Sequence, residues 1–454
     1  MLKLSLSELI QITGGKTGNS PIFCKDIQGL STDSRNILPG QCFLAIKGEK
    51  YDGHNFILDA IQKDASAIIA NESYPVASGI PIPVIQVPQT LDALEKIALH
   101  HYKQFPLLCI AITGSVGKTT TKHLACSILS NRFGVLKSPK SFNNSLGVSL
   151  TLLELESIHK VLVMELGANA PGEIAHLTKM IKPDIGLITC VAPCHLEGFH
   201  SLSGVEQAKS EILLGMGEES VFITNADDCA CQRILSKFPG KTVTFSLEKT
   251  SDFHAQNIRK EKDGIAFKMN GEEYFSPLPG LHNLYNLLAS MAIATQAGMT
   301  PEEIKDSLSS LQLPAMRMEV KQSGGITVIN DAYNANPKSM TAALEYLEQF
   351  PSTRKIAVLG SMLELGKESH HYHALIGKEA AAKNLDFLFA IGKEAKDIAI
   401  GAKESGMPED KIFFYDDNIN IEKELLPLLK QGDVVLLKAS RRIKLEELVS
   451  KIIC

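Results

Sequence analysis

The segment ITGSVGKTTTK, Ile112 to Lys122, is the main basis for the fold that we predict. The apolar run LLCIAIT before it indicates a buried strand, and TKHLACSILSNRF after it indicates a helix. A strand, a glycine-rich turn and a helix form a phosphate-binding loop, in which backbone N–H groups and the helix N-terminus point at an anion. The stretch departs from the general pattern G-x-x-x-x-G-K-[ST] at its first glycine position, which is Ile112.

The side chains of this loop suit a nucleoside triphosphate with its metal ion. Glycines allow the backbone to approach the phosphates closely, Lys118 would bring a positive charge to them, and the Thr119 hydroxyl would suit Mg²⁺. A chance match to a short Gly/Lys pattern is the alternative, and the flanking strand and helix disfavour it. We therefore predict that ATP, or another nucleoside triphosphate, binds along Thr113, Gly114, Ser115, Val116, Gly117, Lys118, Thr119 and Thr120.

The length and charge of the chain exclude several classes of protein. A chain of 454 residues is too long for one core, so two or three domains are expected. The net charge of 46 − 51 = −5 argues against a nucleic-acid binder. No apolar run approaches the ~18 residues of a membrane span, and the N-terminus lacks the apolar core of a signal peptide. We expect a cytoplasmic protein without a membrane span, and a monomer.

The pattern of apolar runs predicts an α/β fold. Short strand-like runs such as CFLAIKG and PVIQV fill residues 1–87, and buried strands then alternate with helices. The alternation starts again near residue 314, where TVIND, KIAVLGSM and DVVLLKAS indicate further buried strands. Continuous apolar strands separated by helices are typical of parallel sheets. We predict three domains, at residues 1–87, 88–313 and 314–454.

Three polar residues follow the phosphate loop at positions where ligands gather. Glu165 ends the strand-like run VLVMELG, and the carboxyl ends of parallel strands are where such sheets bind ligands, so it suits Mg²⁺. His195 follows the next strand, although histidine is an unusual Mg²⁺ ligand and a structural histidine is the alternative. Lys209 lies on the helix after it, where a lone lysine is normally solvated.

The cysteines are alternative candidates for metal ligands. Cys190, Cys194 and His195 lie close together in the sequence, as do Cys229 and Cys231. Their spacings do not match the paired C-x-x-C ligands of structural zinc sites. An odd total of 9 cysteines fits reduced thiols better than a disulfide framework.

Beyond these single positions, a series of motifs resembles a known family. TGSVGKTT, MELGA, HLEGF, AKSEI and HNLYN, in this order, resemble the Mur ligases, the ATP-dependent amide ligases of peptidoglycan synthesis. The outer segments STDSRNILPGQCFLAIKGEKYDGHNFILDA, NNSLGVSLTLLELE, NDAYNANPKSM and VLGSMLELGKESHHYH are similar to those of the members that add D-alanyl-D-alanine. The resemblance covers nearly the whole chain.

The resemblance implies a domain arrangement and a reaction. It implies an N-terminal UDP-sugar-binding α/β domain, a central P-loop ATPase domain with a parallel sheet, and a C-terminal Rossmann-like domain. The implied substrates are UDP-N-acetylmuramoyl-tripeptide and D-Ala-D-Ala, joined through an acyl phosphate in cell-wall synthesis. Because the implied ATP-site residues come from two domains, domain closure is expected.

The resemblance also implies roles for individual residues. Lys118, His195 and Lys209 would be catalytic, with Lys209 carbamylated and therefore anionic. Two Mg²⁺ ions would be held by Thr119, Glu165, His195 and Lys209. Further nucleotide contacts are implied for His282, Asn283, Asn286, Arg317 and Asp331, although Asn283 as a helix N-cap is an alternative. The implied substrate-binding residues are Ser31, Asp33, Ser34, Arg35, Lys47, Gly48, Asp52 and His54, together with Tyr333, Asn334, Asn336 and Ser339.

The chain departs from the family pattern at four positions. Ser361 replaces an acid, Ala439 and Arg442 replace glycines, and Ser145 stands where an acid is common. The competing functions are another amide ligase of this superfamily, a non-catalytic nucleotide- or muropeptide-binding relative, and a generic P-loop kinase or GTPase. The N-terminal segment and NDAYNANPKSM disfavour the first, the intact metal set disfavours the second, and the flanking domains disfavour the third.

Overall fold

The computed structural model describes residues 2–17, 26–48, 50–75, 80–139, 141–350, 352, 354–417 and 421–453. Its strands are β1 (Lys16–Thr17), β2 (Leu30–Ser31), β3 (Cys42–Leu44), β4 (Ala67–Asn71), β5 (Val84–Val87), β6 (Leu108–Thr113), β7 (Val135–Lys137), β8 (Val161–Glu165), β9 (Ile185–Ile188), β10 (Val221–Asn225), β11 (Lys241–Ser246), β12 (Phe253–His254), β13 (Gln256–Glu261), β14 (Gly264–Met269), β15 (Glu272–Ser276), β16 (Glu319–Ser323), β17 (Ile326–Asn330), β18 (Arg354–Gly360), β19 (Phe387–Ile391), β20 (Ile412–Tyr415) and β21 (Asp433–Lys438).

The helices alternate with these strands along most of the chain. They are α1 (Leu6–Thr13), α2 (Ile57–Gln62), α3 (Thr90–Tyr102), α4 (Lys118–Leu129), α5 (Ser145–Leu153), α6 (Glu173–Ile181), α7 (Leu196–Phe199), α8 (Leu202–Ser210), α9 (Cys229–Leu235), α10 (Leu281–Gln296), α11 (Pro301–Leu308), α12 (Pro337–Gln349), α13 (Ser369–Ala382), α14 (Lys396–Glu404), α15 (Ile421–Leu428) and α16 (Glu446–Ile453). Among the described helices, none combines the length and the apolar character that crossing a membrane requires.

Contacts divide the chain into two compact units. The first is Met1–Cys109 with Phe133–Met164, and the second is Ile110–Arg132 with Glu165–Cys454. In the first unit, a sheet has the order β1-β5-β4-β3-β2, with β1 antiparallel and the other pairs parallel. Its strands are buried on both faces, because Leu44 packs in one apolar cluster and Phe43 in another.

The sheet that carries the phosphate loop has the order β12-β11-β10-β9-β6-β8-β7. The recorded strand pairs are parallel, with Thr113 opposite Ile188 at the ends of β6 and β9. Parallel strands bring their carboxyl ends to one edge. That edge therefore gathers the phosphate loop after β6, Glu165 at the end of β8, and the segment after β9.

The last sheet of the second unit has the order β16-β17-β21-β18-β19-β20, with only β16 antiparallel among these strands. Val328, Val358 and Leu437 from its three central neighbours form part of one apolar core. The segments after β17, β21 and β18 consequently begin side by side, at Asp331, Ala439 and Ser361.

The predicted α/β fold with parallel sheets is confirmed, and two parts of it were not predicted. These are the antiparallel sheet β13-β14-β15 and the antiparallel strand β16. Strands β13 and β16 carry mainly exposed polar residues, so they lack the apolar runs used for prediction. Helix α11 begins with Thr300 as its N-cap and Pro301 as its first residue. Asn283 as an N-cap is wrong, since Gly280 caps α10 and Asn283 lies inside the helix.

Candidate active site

The phosphate loop is held from behind by the segment that follows β9. Thr189 Oγ1 donates to the Val116 carbonyl at 2.5 Å, and Ser115 Oγ donates to the Ala192 carbonyl at 2.8 Å. Cys194 Sγ lies 3.3 Å from Ser115 Oγ. The two neighbouring strand ends thus fix the loop, and this cysteine packs against it.

The two glycines of the loop leave no room for a side chain. A Cβ atom at Gly114 would lie 2.0 Å from Thr189 Oγ1, and one at Gly117 would lie 2.4 Å from Asn286 Oδ1. Both glycines also have positive φ angles, +139° and +89°, which favour glycine. Lys118 Nζ donates to the Gly114 carbonyl at 2.7 Å, so the lysine folds back over the loop.

Thr119, at the start of α4, meets Glu165 at the end of β8. Thr119 Oγ1 donates to Glu165 Oε2 at 2.9 Å. This distance matches that between two neighbouring ligands of Mg²⁺, which lie about 3 Å apart when each is about 2.1 Å from the ion. Among the described residues, no group of three or more His, Cys, Asp or Glu is placed to hold a metal. A hydroxyl and one carboxylate nevertheless fit Mg²⁺, which usually completes its shell with phosphate oxygens and water.

Lys122 is a buried cation beside this pair that was not predicted. It lies one helical turn after Lys118, and its Nζ is 3.4 Å from Glu165 Oε2. Lys122 and Glu165 are 3% and 1% exposed. Burying a carboxylate requires a compensating charge, which Lys122 supplies. The spacing of the two lysines in GKTTTK was the only signal of this contact in the sequence.

Arg317 reaches the loop from the segment before β16. Its Nη2 donates to Thr119 Oγ1 at 3.2 Å, and its guanidinium stacks 4.1 Å from the centre of the Tyr333 ring. Its Nε is buried and is one of the few described side-chain atoms with no hydrogen-bond partner. A buried donor without a partner is costly, so an anionic ligand beside Arg317 would satisfy it.

Lys209 is buried at 1% exposure, not solvated as a lone helix lysine would be. Its Nζ lies 5.4 Å from the centre of the Phe199 ring. Burial, followed by the charge of Lys118, lowers the pKa of Lys209 to about 8. Burial, and again Lys118, also lower the pKa of His195, while Glu364 opposes that shift. The three predicted catalytic residues, Lys118, His195 and Lys209, therefore interact with one another.

A second buried ion pair lies on the side of the last sheet. Lys438, the final residue of β21, pairs with Asp331, and its Nζ also donates to the Asn334 carbonyl at 3.1 Å. Burial lowers the pKa of Lys438 despite Asp331. The pKa of His282 falls to about 4, chiefly through burial, with opposing influences from Asp331 and Lys438. His282 and Asp331 therefore lie near each other.

Asn283 and Asn286 form a chain of amide contacts inside α10. Asn283 Nδ2 donates to the Pro279 carbonyl at 2.7 Å, and Asn286 Nδ2 donates to Asn283 Oδ1 at 3.1 Å. Asn286 Oδ1 also accepts from Thr121 Oγ1 of α4 at 3.2 Å. This chain supports the phosphate loop from the protein interior.

The segment after β17 contains the residues that the resemblance assigned to substrate. Tyr333 lies against Arg317, and the centre of its ring is 5.8 Å from the Arg441 guanidinium. Asn336 is the N-cap of α12, where its Oδ1 accepts from the Ser339 backbone at 2.9 Å. Ser339 Oγ donates to the Asn336 carbonyl at 3.0 Å, so both side chains already stabilise the helix start.

In the first unit, the predicted nucleotide-sugar residues lie at the end of β2 and on the two loops that follow the neighbouring parallel strands β2 and β3. Asp33 accepts from Arg35 Nε and Nη2 at 2.9 Å each, and this pairing lowers the pKa of Asp33 to about 2. His54 is buried, and its Nδ1 contacts Asp52 Oδ1 at 2.6 Å. The Asn71 backbone donates to His54 Nε2 at 3.0 Å. Both ring nitrogens of His54 are therefore used within the protein.

The remaining members of this set shape the two loops. Ser31 Oγ donates to the Asp33 carbonyl at 3.1 Å, and Lys63 Nζ donates to the Ser34 carbonyl at 3.0 Å. Lys47 forms an isolated bridge with Asp52, and the Gly48 backbone donates to the Tyr51 carbonyl at 2.9 Å.

The structure shows what surrounds each of the four residues that depart from the family pattern. Ser361 is fully buried, and its Oγ accepts from the Ala395 backbone at 3.2 Å, so the position keeps an acceptor without a charge. Ala439 is buried against Gly360, whose missing Cβ leaves space for it. Arg442 is exposed, and Ser145 contacts Glu95 within the first unit.

Family models match three consecutive parts of the chain. The Mur ligase family catalytic domain matches residues 26–102, the Mur ligase middle domain matches 112–294, and the Mur ligase glutamate ligase domain matches 316–441. The middle model contains the phosphate loop, Glu165, His195 and Lys209, and the last contains Arg317, Asp331 and Glu364.

Curated relatives match the chain over its full length. The UDP-N-acetylmuramoyl-tripeptide–D-alanyl-D-alanine ligase of Buchnera aphidicola is 38% identical over 100% of this chain and 99% of its own. The ligases of the same name from Bacillus subtilis and Escherichia coli are 33% and 34% identical, over 100% and 99% of this chain and 99% and 98% of their own.

Solved structures agree with these relatives. A crystal structure of MurF from Acinetobacter baumannii superposes with a TM-score of 0.92 at 30% identity, covering 100% of this chain and 99% of that one. The MurF ligase from Thermotoga maritima in complex with ADP superposes with a TM-score of 0.82 at 29% identity, covering 94% and 97%.

Proposed function

Because the chain belongs to the Mur ligase family, we propose that it joins D-alanyl-D-alanine to UDP-N-acetylmuramoyl-tripeptide, converting ATP to ADP and phosphate in peptidoglycan synthesis. The observation that carries this proposal is the full-length identity of 38% to a ligase of that activity. The ATP requirement is supported by the phosphate loop and by the likeness to an ADP-bound ligase.

The reaction needs ATP because a carboxylate does not react with an amine. A carboxylate oxygen of the tripeptide attacks the γ-phosphorus of ATP, the bond to ADP breaks, and an acyl phosphate forms. The amine of D-alanyl-D-alanine then attacks the acyl carbon and gives a tetrahedral intermediate. This intermediate expels phosphate, and the nitrogen loses a proton to complete the amide bond.

The first step brings two anions together, so positive charge must lie between them. Lys118 turns from the Gly114 carbonyl to the terminal phosphates, and the loop N–H groups hold the remaining oxygens. Arg317 offers its partnerless Nε to the same phosphates while Nη2 keeps its bond to Thr119. We assign Asp331 and His282 to the nucleoside side of the site.

Thr119 and Glu165 would hold a first Mg²⁺, and His195 with Lys209 would help to hold a second. When bound, these ions neutralise phosphate charge and orient the γ-phosphate. A protonated Lys209 would repel a cation. A carbamate forms when the neutral amine attacks CO₂ and loses a proton, and it turns this position into an anion. The lowered pKa of Lys209 favours that reaction, because more of the amine is neutral.

For the first unit, we propose that the two loops bind the nucleotide-sugar end of the substrate. Arg35 is exposed and suits a pyrophosphate. The predicted substrate contact of His54 stays untested, and both ring nitrogens of His54 already have partners, Asp52 and the Asn71 backbone. We assign it to holding the loop rather than to touching substrate.

The test is phosphate release by the purified protein with ATP, Mg²⁺ and UDP-N-acetylmuramoyl-tripeptide, with and without D-Ala-D-Ala. Release that requires both substrates supports the ligase. Lys118→Met is the inactive control. Release with neither substrate indicates a simple ATPase, and release with a single amino acid in place of the dipeptide indicates another ligase of the family.

A further inference from the structure

One loop of the second unit approaches His195 from a distant part of the sequence. Residues 361–366 follow β18, and we call this segment the Glu364 loop. Three successive backbone N–H groups of this loop are bound within the protein. Ser361 N donates to the Ile391 carbonyl at 2.9 Å, Met362 N to His373 Nε2 at 2.8 Å, and Leu363 N to Ser440 Oγ at 2.9 Å. These hydrogen bonds fix the loop as far as Leu363, the residue before Glu364.

Glu364 meets the start of α7 with both its backbone and its side chain. The Glu197 backbone donates to the Glu364 carbonyl at 3.1 Å, and the Glu364 carboxylate contacts His195 Nδ1. Glu364 and His195 both have positive φ angles, 66° and 49°, which are costly for residues other than glycine. Such strain persists where the surroundings fix it, and it clusters at functional sites.

A carboxylate on one ring nitrogen determines the state of the other. Ionised Glu364 only accepts hydrogen bonds, so Nδ1 of a neutral His195 must carry the proton. The lone pair is then on Nε2, the atom available to a metal ion or to a proton of the substrate. Without a partner, a neutral imidazole in water prefers the opposite tautomer, with the proton on Nε2.

We propose that Glu364 is a positioning residue, which fixes His195 in the tautomer and orientation that leave Nε2 unprotonated. Glu364 acts through His195 and does not touch the reacting atoms. The value of this tautomer for ligation rests on the proposed function, whereas the tautomer itself does not. The alternative is an ordinary surface ion pair, since the Glu364 side chain is 50% exposed.

The tautomer is read directly by ¹⁵N NMR of histidine-labelled protein at pH 8, with His195→Gln used to assign the signal. The wild type is expected to show a protonated Nδ1. Glu364→Gln keeps an acceptor and should keep this tautomer, whereas Glu364→Ala and Glu364→Leu should shift it to protonated Nε2. The matched control is Glu368→Gln, an exposed glutamate four residues later that should change nothing. An unchanged His195 signal in both the Ala and Leu variants overturns the proposal.

Activity provides the second readout. Loss of the carboxyl partner of a ligand histidine typically costs about 10- to 100-fold. We expect that loss in kcat for Glu364→Ala, with the KM for ATP nearly unchanged and with Glu364→Gln within a few-fold of the wild type. Equal losses in the Ala and Gln variants, or none in either, contradict the positioning role. If the wild type itself proves inactive as a ligase, only the proposed function fails, because the NMR result stands without substrates.

Discussion

Arg317 Nη2 donates a hydrogen bond to Thr119 Oγ1 at 3.2 Å, although 198 positions separate the two residues. The same Thr119 hydroxyl donates to Glu165 at 2.9 Å. Arg317 therefore touches the side chain that we propose for Mg²⁺, and it keeps one buried donor, Nε, for a ligand. We therefore propose that Arg317, which lies between α11 and β16, is part of the ATP site.

Arg317→Lys is expected to reduce kcat/KM for ATP. A lysine keeps the charge but cannot reach Thr119 and a phosphate with two separate donors. One lost hydrogen bond to a charged group is worth about 1.5–3 kcal/mol, or about 10- to 150-fold. Steady-state kinetics with varied ATP measures the change. Arg259→Lys, in an exposed pair with Glu273, is the control and should lie within about two-fold of the wild type. Equal kinetics in the two variants would remove Arg317 from the ATP site.

Gly114→Ala is expected to distort the phosphate loop. The added methyl would lie 2.0 Å from Thr189 Oγ1 at a φ of +139°, so strain of about 1–3 kcal/mol is expected. Thermal unfolding and calorimetric ADP binding measure the result, which should be a lower Tm and lost affinity. Gly217→Ala is the matched control, because nothing lies within 4 Å of its Cβ position. Retained ADP affinity in Gly114→Ala would show that this loop does not hold the nucleotide.

Lys122→Met is expected to destabilise the fold by leaving Glu165 buried without its cation. Removing one partner of a buried ion pair typically costs about 3–5 kcal/mol. The double variant Lys122→Met with Glu165→Gln removes both charges and should recover much of that loss in urea unfolding. The surface variant Lys137→Met should be neutral. A double variant as unstable as Lys122→Met alone would mean that the ion pair is not the cause.

Lys209 is expected to take up CO₂ in a pH-dependent manner. Its pKa of about 8 leaves about half of the amine neutral at pH 8 and about one hundredth at pH 6. Because only the neutral amine attacks CO₂, carbamylation should fall as the pH drops below 8. A ¹³C NMR carbamate signal from ¹³C-bicarbonate measures it, with Lys209→Met as the control. A signal that survives in Lys209→Met belongs to another amine, and no signal at any pH would contradict carbamylation.

The sequence predicts the parts of this protein that depend on local pattern. The buried parallel strands are continuous apolar runs, and the phosphate loop lies between one of them and a helix. The exposed strands β13 and β16 carry no such run, so they were missed. Side-chain contacts between residues that are far apart in the sequence were not predicted either. Glu364 lies 169 positions from His195, and Lys122 resembles any helix lysine until the fold buries it against Glu165.

In the proposed reaction, ATP activates the tripeptide carboxylate. Tripeptide substrate carrying ¹⁸O in both oxygens of the reacting carboxyl group tests it, with mass spectrometry of the released phosphate. An acyl phosphate keeps one carboxyl oxygen bound to phosphorus, so we predict one ¹⁸O atom in each phosphate and one in each amide product. Unlabelled phosphate would rule out this activation, because the oxygen gained by phosphorus would then have come from a source other than the tripeptide carboxylate.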